Sequence, residues 1–284
     1  MMSLLLTSLI WAFSFGLIKR HLSGLDAHFV AWMRLAISFL VFLPFLRLKD
    51  LPFRLAGKLL LLGAVQFGLM YLFYIESFRY LQAHQVALFT IFTPLYVTWF
   101  FDLLSRRFHA VSLVSALMAV AGAAIIMYAG GSIGLIVNGF LLVQASNVCF
   151  ALGQVVYKRM AERDRRLQSQ RIFAILYLGA AATAILSALL FSRSAIPAIS
   201  LSQGLTLLYL GALASGLGFF LWNRGAIRVS SGVLAVFNNV KVPLAVVASL
   251  LFFGERSDPI RLLAGSALMV AGLALLSRRR HGAD

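Results

Sequence analysis

Three amides stand on one stripe of an otherwise apolar run: Gln144, Asn147 and Gln154, with Ala151 between them. At 3.6 residues per turn their spacing places them on one helical face. Uncharged amides in lipid must find partners, so this face points at other helices or into a cavity. It reads as a substrate wall, with inter-helix hydrogen bonding as the alternative. A second group, Asn238, Asn239 and Lys241, precedes Pro243 in another apolar run. Proline removes an N–H and frees a carbonyl of the preceding turn. A mid-span ammonium is costly and needs a carboxylate, water or an anionic ligand. The sequence places no acidic residue clearly at that depth, which points to an anion or to water. Thr90 and Thr93 precede Pro94 in the same way, although helical Thr hydroxyls also bond back to the preceding turn.

Other residues extend these constellations. Arg34 lies about a third of the way into its run, facing either the cavity or the membrane surface. Trp11 and Phe15 are one turn apart, and Tyr71 precedes Tyr74. Trp11 and Tyr71 are mid-run, where a substrate-facing role fits better than an interfacial belt. Glu76/Arg79 and Asp102/Arg106 have the spacing of terminal ion pairs, with proton coupling as a second reading of the carboxylates. The sequence carries no His-Glu-x-x-His, Gly-x-Ser-x-Gly or Walker motif, and its histidines are scattered. We therefore expect no catalytic residues, no metal site and no cofactor. Cys149 is the only cysteine, so an intramolecular disulfide is impossible.

The elements that position these residues are apolar runs of membrane-spanning length. The 284-residue chain is 61% hydrophobic and 12% charged, with a mean hydropathy of +0.92. Soluble domains carry roughly a quarter charged residues. Ten runs, near 3–19, 28–47, 58–80, 85–104, 110–128, 136–157, 170–192, 203–223, 231–254 and 260–277, predict ten transmembrane helices of an all-α membrane protein. Strand alternation is absent. Met1–Phe15 lacks a basic segment before it, so it reads as an uncleaved first span.

The net charge of +16 does not indicate nucleic-acid binding, because the basic residues sit in short gaps between runs. One set of gaps holds Arg47, Lys49, Arg54 and Lys58; Arg106 and Arg107; Lys158 to Arg171; Arg224 and Arg228; and Arg278 to Arg280. The opposite set holds far fewer: Lys19, Arg20, Arg79, Arg193, Arg256 and Arg261. The bias predicts both termini in the cytoplasm.

The chain also repeats. Gly63-Ala64 and Gly68-Leu69 recur as Gly211-Ala212 and Gly216-Leu217, and Pro94 corresponds to Pro243. Ser115-Ala116-Leu117-Met118 recurs as Ser266-Ala267-Leu268-Met269, each followed by Val-Ala-Gly. These landmarks keep their order, as in a duplicated unit. Units at 3–128 and 136–277 would hold five spans each. An odd number inverts the second relative to the first, a recurrent design of alternating-access transporters.

With a Pro in the fourth span of each unit, this pattern resembles the EamA-domain transporters of the drug/metabolite transporter superfamily. Phe253-Gly254-Glu255-Arg256 resembles that domain's closing motif, whereas the first half has Ser105-Arg106 where Gly-Glu would stand. A narrower set is similar to the inner-membrane biotin transporters of enteric bacteria. It comprises Trp11 to Phe15, Leu88 to Tyr96, Leu141 to Ala151, Tyr157-Lys158-Arg159, Trp222-Asn223, Asn238-Asn239 and Val242-Pro243. The resemblance implies a multi-pass protein of the bacterial inner membrane that takes up a small molecule, biotin, by secondary transport. It implies contacts with the bilayer and none with nucleic acid. Gln144, Asn147 and Asn238 would pair the ureido group, Trp11, Phe15 and Tyr71 would cover the ring and chain, and Lys241 or Arg34 would meet the carboxylate. Competing readings are an exporter of amino acids or amines and a non-transporting membrane scaffold.

Overall fold

A computed structural model describes residues 2–47, 51–104, 110–127, 133–192, 197–229 and 231–280. Among the described residues the chain forms ten long helices and no strand. Seven are long and apolar enough to cross a membrane. These are α1 (Met2–Leu22), α2 (Ala27–Phe45), α3 (Phe53–Ser77), α4 (Ala83–Leu103), α6 (Gly134–Arg163), α7 (Gln170–Phe191) and α8 (Leu201–Ala226). The others are α5 (Ala110–Met127), α9 (Ser231–Phe252) and α10 (Pro259–Arg280), which contain the apolar stretches Val114–Ile126, Lys241–Phe252 and Pro259–Gly272.

The packing is symmetric under exchange of each helix with the one five places on. Helix α1 packs on α9 as α6 packs on α4; α3 packs on α7 as α8 packs on α2. The pairs α2–α7 and α5–α10 lie across the approximate dyad. Within lipid there is little hydrophobic gain from pairing helices, so close approach at small residues supplies the contact energy. A methyl on Gly63 would fall 1.9 Å from the Leu176 carbonyl oxygen, and one on Gly179 would fall 2.1 Å from that of Leu60, fixing α3 against α7. Gly122 and Gly265 do the same reciprocally between α5 and α10, at 2.5 Å each.

The repeated Gly landmarks mark wide turns. Helix α3 contains a π segment at Ala64–Leu69, and its counterpart α8 contains one at Tyr209–Leu217. Such segments free carbonyls from the regular ladder. In α8, side chains of neighbouring helices take them up. Trp11 Nε1 donates to the Ala214 carbonyl at 2.8 Å, Tyr177 Oη to that of Ser215 at 2.6 Å, and Ser38 Oγ to that of Gly211 at 2.8 Å. The paired prolines differ. Helix α4 tightens to a 3-10 turn at Thr90–Phe92 immediately before Thr93-Pro94, whereas α9 runs as α-helix through Pro243.

Candidate functional site

A cavity lies where α1, α2, α3, α4, α6, α8 and α9 converge. It is lined by Trp11, Ser14, Phe15, Arg34, Met70, Tyr71, Tyr74, Thr90, Thr93, Ser146, Asn147, Phe150, Phe219 and Lys241. Seven of the ten residues singled out from sequence therefore face one space: Trp11, Phe15, Tyr71, Thr90, Thr93, Asn147 and Lys241.

Its two cations are held differently. Arg34 is 2% exposed, which resolves its orientation in favour of the cavity. Its Nε donates to Ser215 Oγ at 2.6 Å and its Nη2 to Tyr71 Oη at 3.1 Å, with the guanidinium 4.2 Å from the Tyr71 ring centre. Ser215 comes from the π segment of α8 and also donates to Tyr71 Oη at 2.8 Å. Arg34 Nη1 is buried with no partner in the protein. Lys241 is 7% exposed, and its Nζ lies 5.0 Å from the Trp11 ring centre and 5.9 Å from that of Phe150. Among the described residues neither cation has a carboxylate within ion-pair distance. Aromatic faces ease a cation's burial without neutralising it.

Aromatic rings form most of the remaining wall. Phe219 contacts Trp11, Phe150 and Tyr71 at centroid distances of 4.7, 5.6 and 6.0 Å, and Phe15 meets Tyr74 at 5.8 Å. The polar side is Asn147, whose amide donates to the Phe89 carbonyl at 2.9 Å and accepts from Thr93 Oγ1 at 3.2 Å. The Phe89 carbonyl is reachable because α4 changes to a 3-10 turn directly after it. Thr90 and Thr93 also bond back, to the carbonyls of Ala87 and Thr90. An apolar cavity with two cations and one amide edge suits an amphipathic anion.

A model of the EamA-like transporter family matches residues 1–128 and 137–278. The chain belongs to the EamA-like transporter family. It is a multi-pass membrane protein of a transporter family, not an enzyme. A "Probable biotin transporter" of Pseudomonas aeruginosa is 42% identical over 273 residues, 95% of both chains. The "Biotin transporter" of Escherichia coli K12 is 38% identical over 273 residues, covering 95% of this chain and 90% of that protein. A crystal structure with 22% identity superposes with a TM-score of 0.68 over 96% of each chain and shares the fold.

Three residues singled out from sequence lie outside the lining of this EamA cavity. Gln144 is used in helix contacts: it accepts from Tyr96 Oη at 3.2 Å and Asn147 Nδ2 at 3.1 Å, and faces the Phe89 carbonyl at 3.4 Å. The inter-helix alternative thus describes Gln144. Gln154 and Asn238 are each 1% exposed, and their amides have no partner in the protein. Of the three amides on the stripe, only Asn147 lines the cavity. Asn239 has no described side chain, and Arg106 lies outside the described residues. Glu76 and Arg79 form their expected pair at 3.5 Å.

Ser14, Met70, Ser146, Phe150 and Phe219 also face the cavity and were not singled out for it. Small, sulfur and Phe side chains carry no intramembrane cost that would mark them in a sequence. Their one signal was helical register: Ser146 flanks Asn147, and Phe150 is one turn further on.

The closing motif ties the loop after α9 to the start of α4. Gly254 takes φ +68°, and the next N–H returns to the Ser249 carbonyl at 3.3 Å, turning the chain out of the helix. Glu255 then accepts from the N–H groups of Ala83 at 2.6 Å and His84 at 2.9 Å, and from His84 Nδ1 at 2.7 Å. Burial pushes this carboxyl upward, but the bonds from His84 and Ala83 outweigh it and hold it below the ordinary carboxylate range. Beside it, Lys19 Nζ bonds the carbonyls of Phe78 and Leu81, each at 2.8 Å.

Proposed function

We propose that this protein imports biotin across a bacterial inner membrane by alternating access, with both termini in the cytoplasm and two inverted five-helix halves at 3–128 and 136–277. The observation that carries the reading is a pair of buried cations, Arg34 and Lys241, without a carboxylate among the described residues, in a cavity otherwise walled by rings. Two relatives that match 95% of the chain bear the name of biotin transporters, which selects one amphipathic anion from that class. Biotin has a carboxylate on an apolar chain and a ureido ring fused to a thioether ring. Lys241 and the free Nη1 of Arg34 would receive the carboxylate. Trp11, Phe15, Tyr71 and Phe219 would cover the chain and thioether ring, and Asn147 with Thr90 and Thr93 would meet the ureido group. Substrate movement between two faces of a single cavity fits the symmetric packing of the helices.

Expression in cells lacking their own biotin transporter is expected to restore accumulation of labelled biotin at low external concentration. Excess unlabelled biotin should compete, and biotin methyl ester should compete poorly. Background accumulation, with the protein verified in the membrane, would refute biotin import. Resistance to a toxic amino-acid analogue in the same cells would point instead to export.

A further inference from the structure

Four helices show one relation between the cavity and a buried amide. On α6, Gln154 follows the cavity residue Phe150 by four positions; on α8, Asn223 follows Phe219 by four. On α9, Asn238 precedes Lys241 by three, and on α3, Gln66 precedes Met70 by four. Residues three or four apart in a helix share a face, one turn apart. The directions of the helices make the relation coherent. With both termini in the cytoplasm, α6 and α8 descend toward it while α3 and α9 ascend from it. Each of the four amides therefore lies one turn to the cytoplasmic side of the cavity.

These amides share an environment as well as a level. Gln66 and Asn223 are fully buried, Gln154 and Asn238 are 1% exposed, and none has a hydrogen-bond partner in the protein. The indole N–H of Trp222, beside Asn223, is also unpartnered. Gln66 leans on α6 directly beside Gln154, since a methyl on Gly153 would fall 2.3 Å from Gln66 Cβ. Inter-helix hydrogen bonding would give amides partners, as it does for Gln144 and Asn147. Buried polar groups are normally paired, and a group of exceptions on one level calls for a function.

We propose that Gln66, Gln154, Asn223 and Asn238 form a second ligand station on the cytoplasmic side of the cavity, closed in this conformation, which takes a neutral hydrogen-bonding head such as a cyclic urea as the carrier opens inward. Primary amides present both N–H donors and a carbonyl acceptor, which match a ureido group's two donors and one acceptor. The station contains no charge of its own, so it would not retain the carboxylate, which stays with Lys241 one turn away. Opening toward the cytoplasm gives the amides partners they lack when closed, and the closed state is left easy to depart from. The choice of a cyclic urea rests on the biotin reading; the station itself does not.

Two experiments on the full-length protein separate these. In the first, Gln154→Met and Asn238→Leu are combined, which removes unpartnered amides at nearly constant volume. Biotin influx into proteoliposomes is expected to fall at least ten-fold, while the unfolding midpoint holds or rises. Influx within two-fold of the parent, or influx and midpoint falling together, would overturn the proposal, because amides that act as packing contacts stabilise. In the second, Asn223→Cys is placed in a Cys149→Ser background and probed with a membrane-impermeant maleimide in oriented vesicles. Labelling is expected from the cytoplasmic face and not from the opposite face. Absence of cytoplasmic labelling would overturn the station. This arm needs no substrate, so if the parent protein fails to transport biotin, the substrate reading fails while labelling still judges the station.

Discussion

Replacing Lys241 with methionine is expected to lower affinity for biotin by roughly thirty-fold or more, while leaving the substrate-free protein as stable as before or more so. The two halves of this result share one cause. Lys241 has no hydrogen bond and no carboxylate partner among the described residues, and its ammonium rests on the rings of Trp11 and Phe150. A buried charge of this kind carries a desolvation cost of several kcal/mol, which methionine does not. A bound carboxylate repays that cost, and losing one partner of such a pair costs about 2–5 kcal/mol. At about 1.4 kcal/mol per factor of ten, the lower figure already gives the thirty-fold loss. Arg34 is anchored through Nε and Nη2 to Ser215 and Tyr71, so it has less to gain from an anion than Lys241. Equilibrium binding of biotin and of its neutral methyl ester to parent and variant checks the assignment. The ester should lose no more than a few-fold. Equal losses for acid and ester, with a lowered unfolding midpoint, would make Lys241 a structural residue.

Glu255→Gln should cost about 2 kcal/mol of stability near neutral pH and abolish part of the protein's acid sensitivity. The carboxylate accepts two backbone N–H groups at the start of α4 and the Nδ1–H of His84. Bonds to an ionised acceptor are stronger than those to an amide, and a glutamine oxygen cannot serve both backbone donors in the same geometry. The sign with pH follows from the direction of the shift. The folded-state value lies below the ordinary range, so the stability it contributes is fully present above the unfolded value of about 4.3 and is lost as pH falls through the folded one. Unfolding midpoints of parent and variant, measured from pH 7 downward, should converge at the acid end. Parallel curves would show that Glu255 contributes no differential proton binding.

Much of this molecule was legible without coordinates because the membrane imposes simple rules. A segment of about 20 apolar residues must close its own backbone hydrogen bonds, so span number and helical class follow from hydropathy. The repeated Gly and Pro landmarks were informative because each has a backbone consequence. Gly63-Ala64 and Gly211-Ala212 fall at the wide turns of α3 and α8, and Pro94 falls where α4 tightens. Costly intramembrane groups were legible too: Lys241 and Asn147 face the cavity, as their expense suggested.

Tertiary packing decided what a single helix cannot. A stripe on α6 contains Gln144, Asn147 and Gln154, yet its three levels meet three environments: a helix contact, the cavity, and a buried tier without hydrogen-bond partners in the protein. Which level meets which depends on how α3, α4 and α8 pack against α6, and that geometry is set by side chains on all of them at once. Arg34 was undecided in sequence because inward and outward orientations differ only by rotation about α2; packing of Ser38 on the widened turn of α8 fixes that rotation. Gln66 carried no signal in the sequence, and Asn223 only that of the Trp222-Asn223 pair in the family resemblance, until their levels were aligned with the cavity. The sequence alone determined the helical class, the order of the apolar runs, their duplication and the residues too costly to lie in lipid, since these follow from local composition and chain connectivity. The tertiary structure decided which of those residues share a space and which remain without partners, since that depends on distances between helices far apart in the chain.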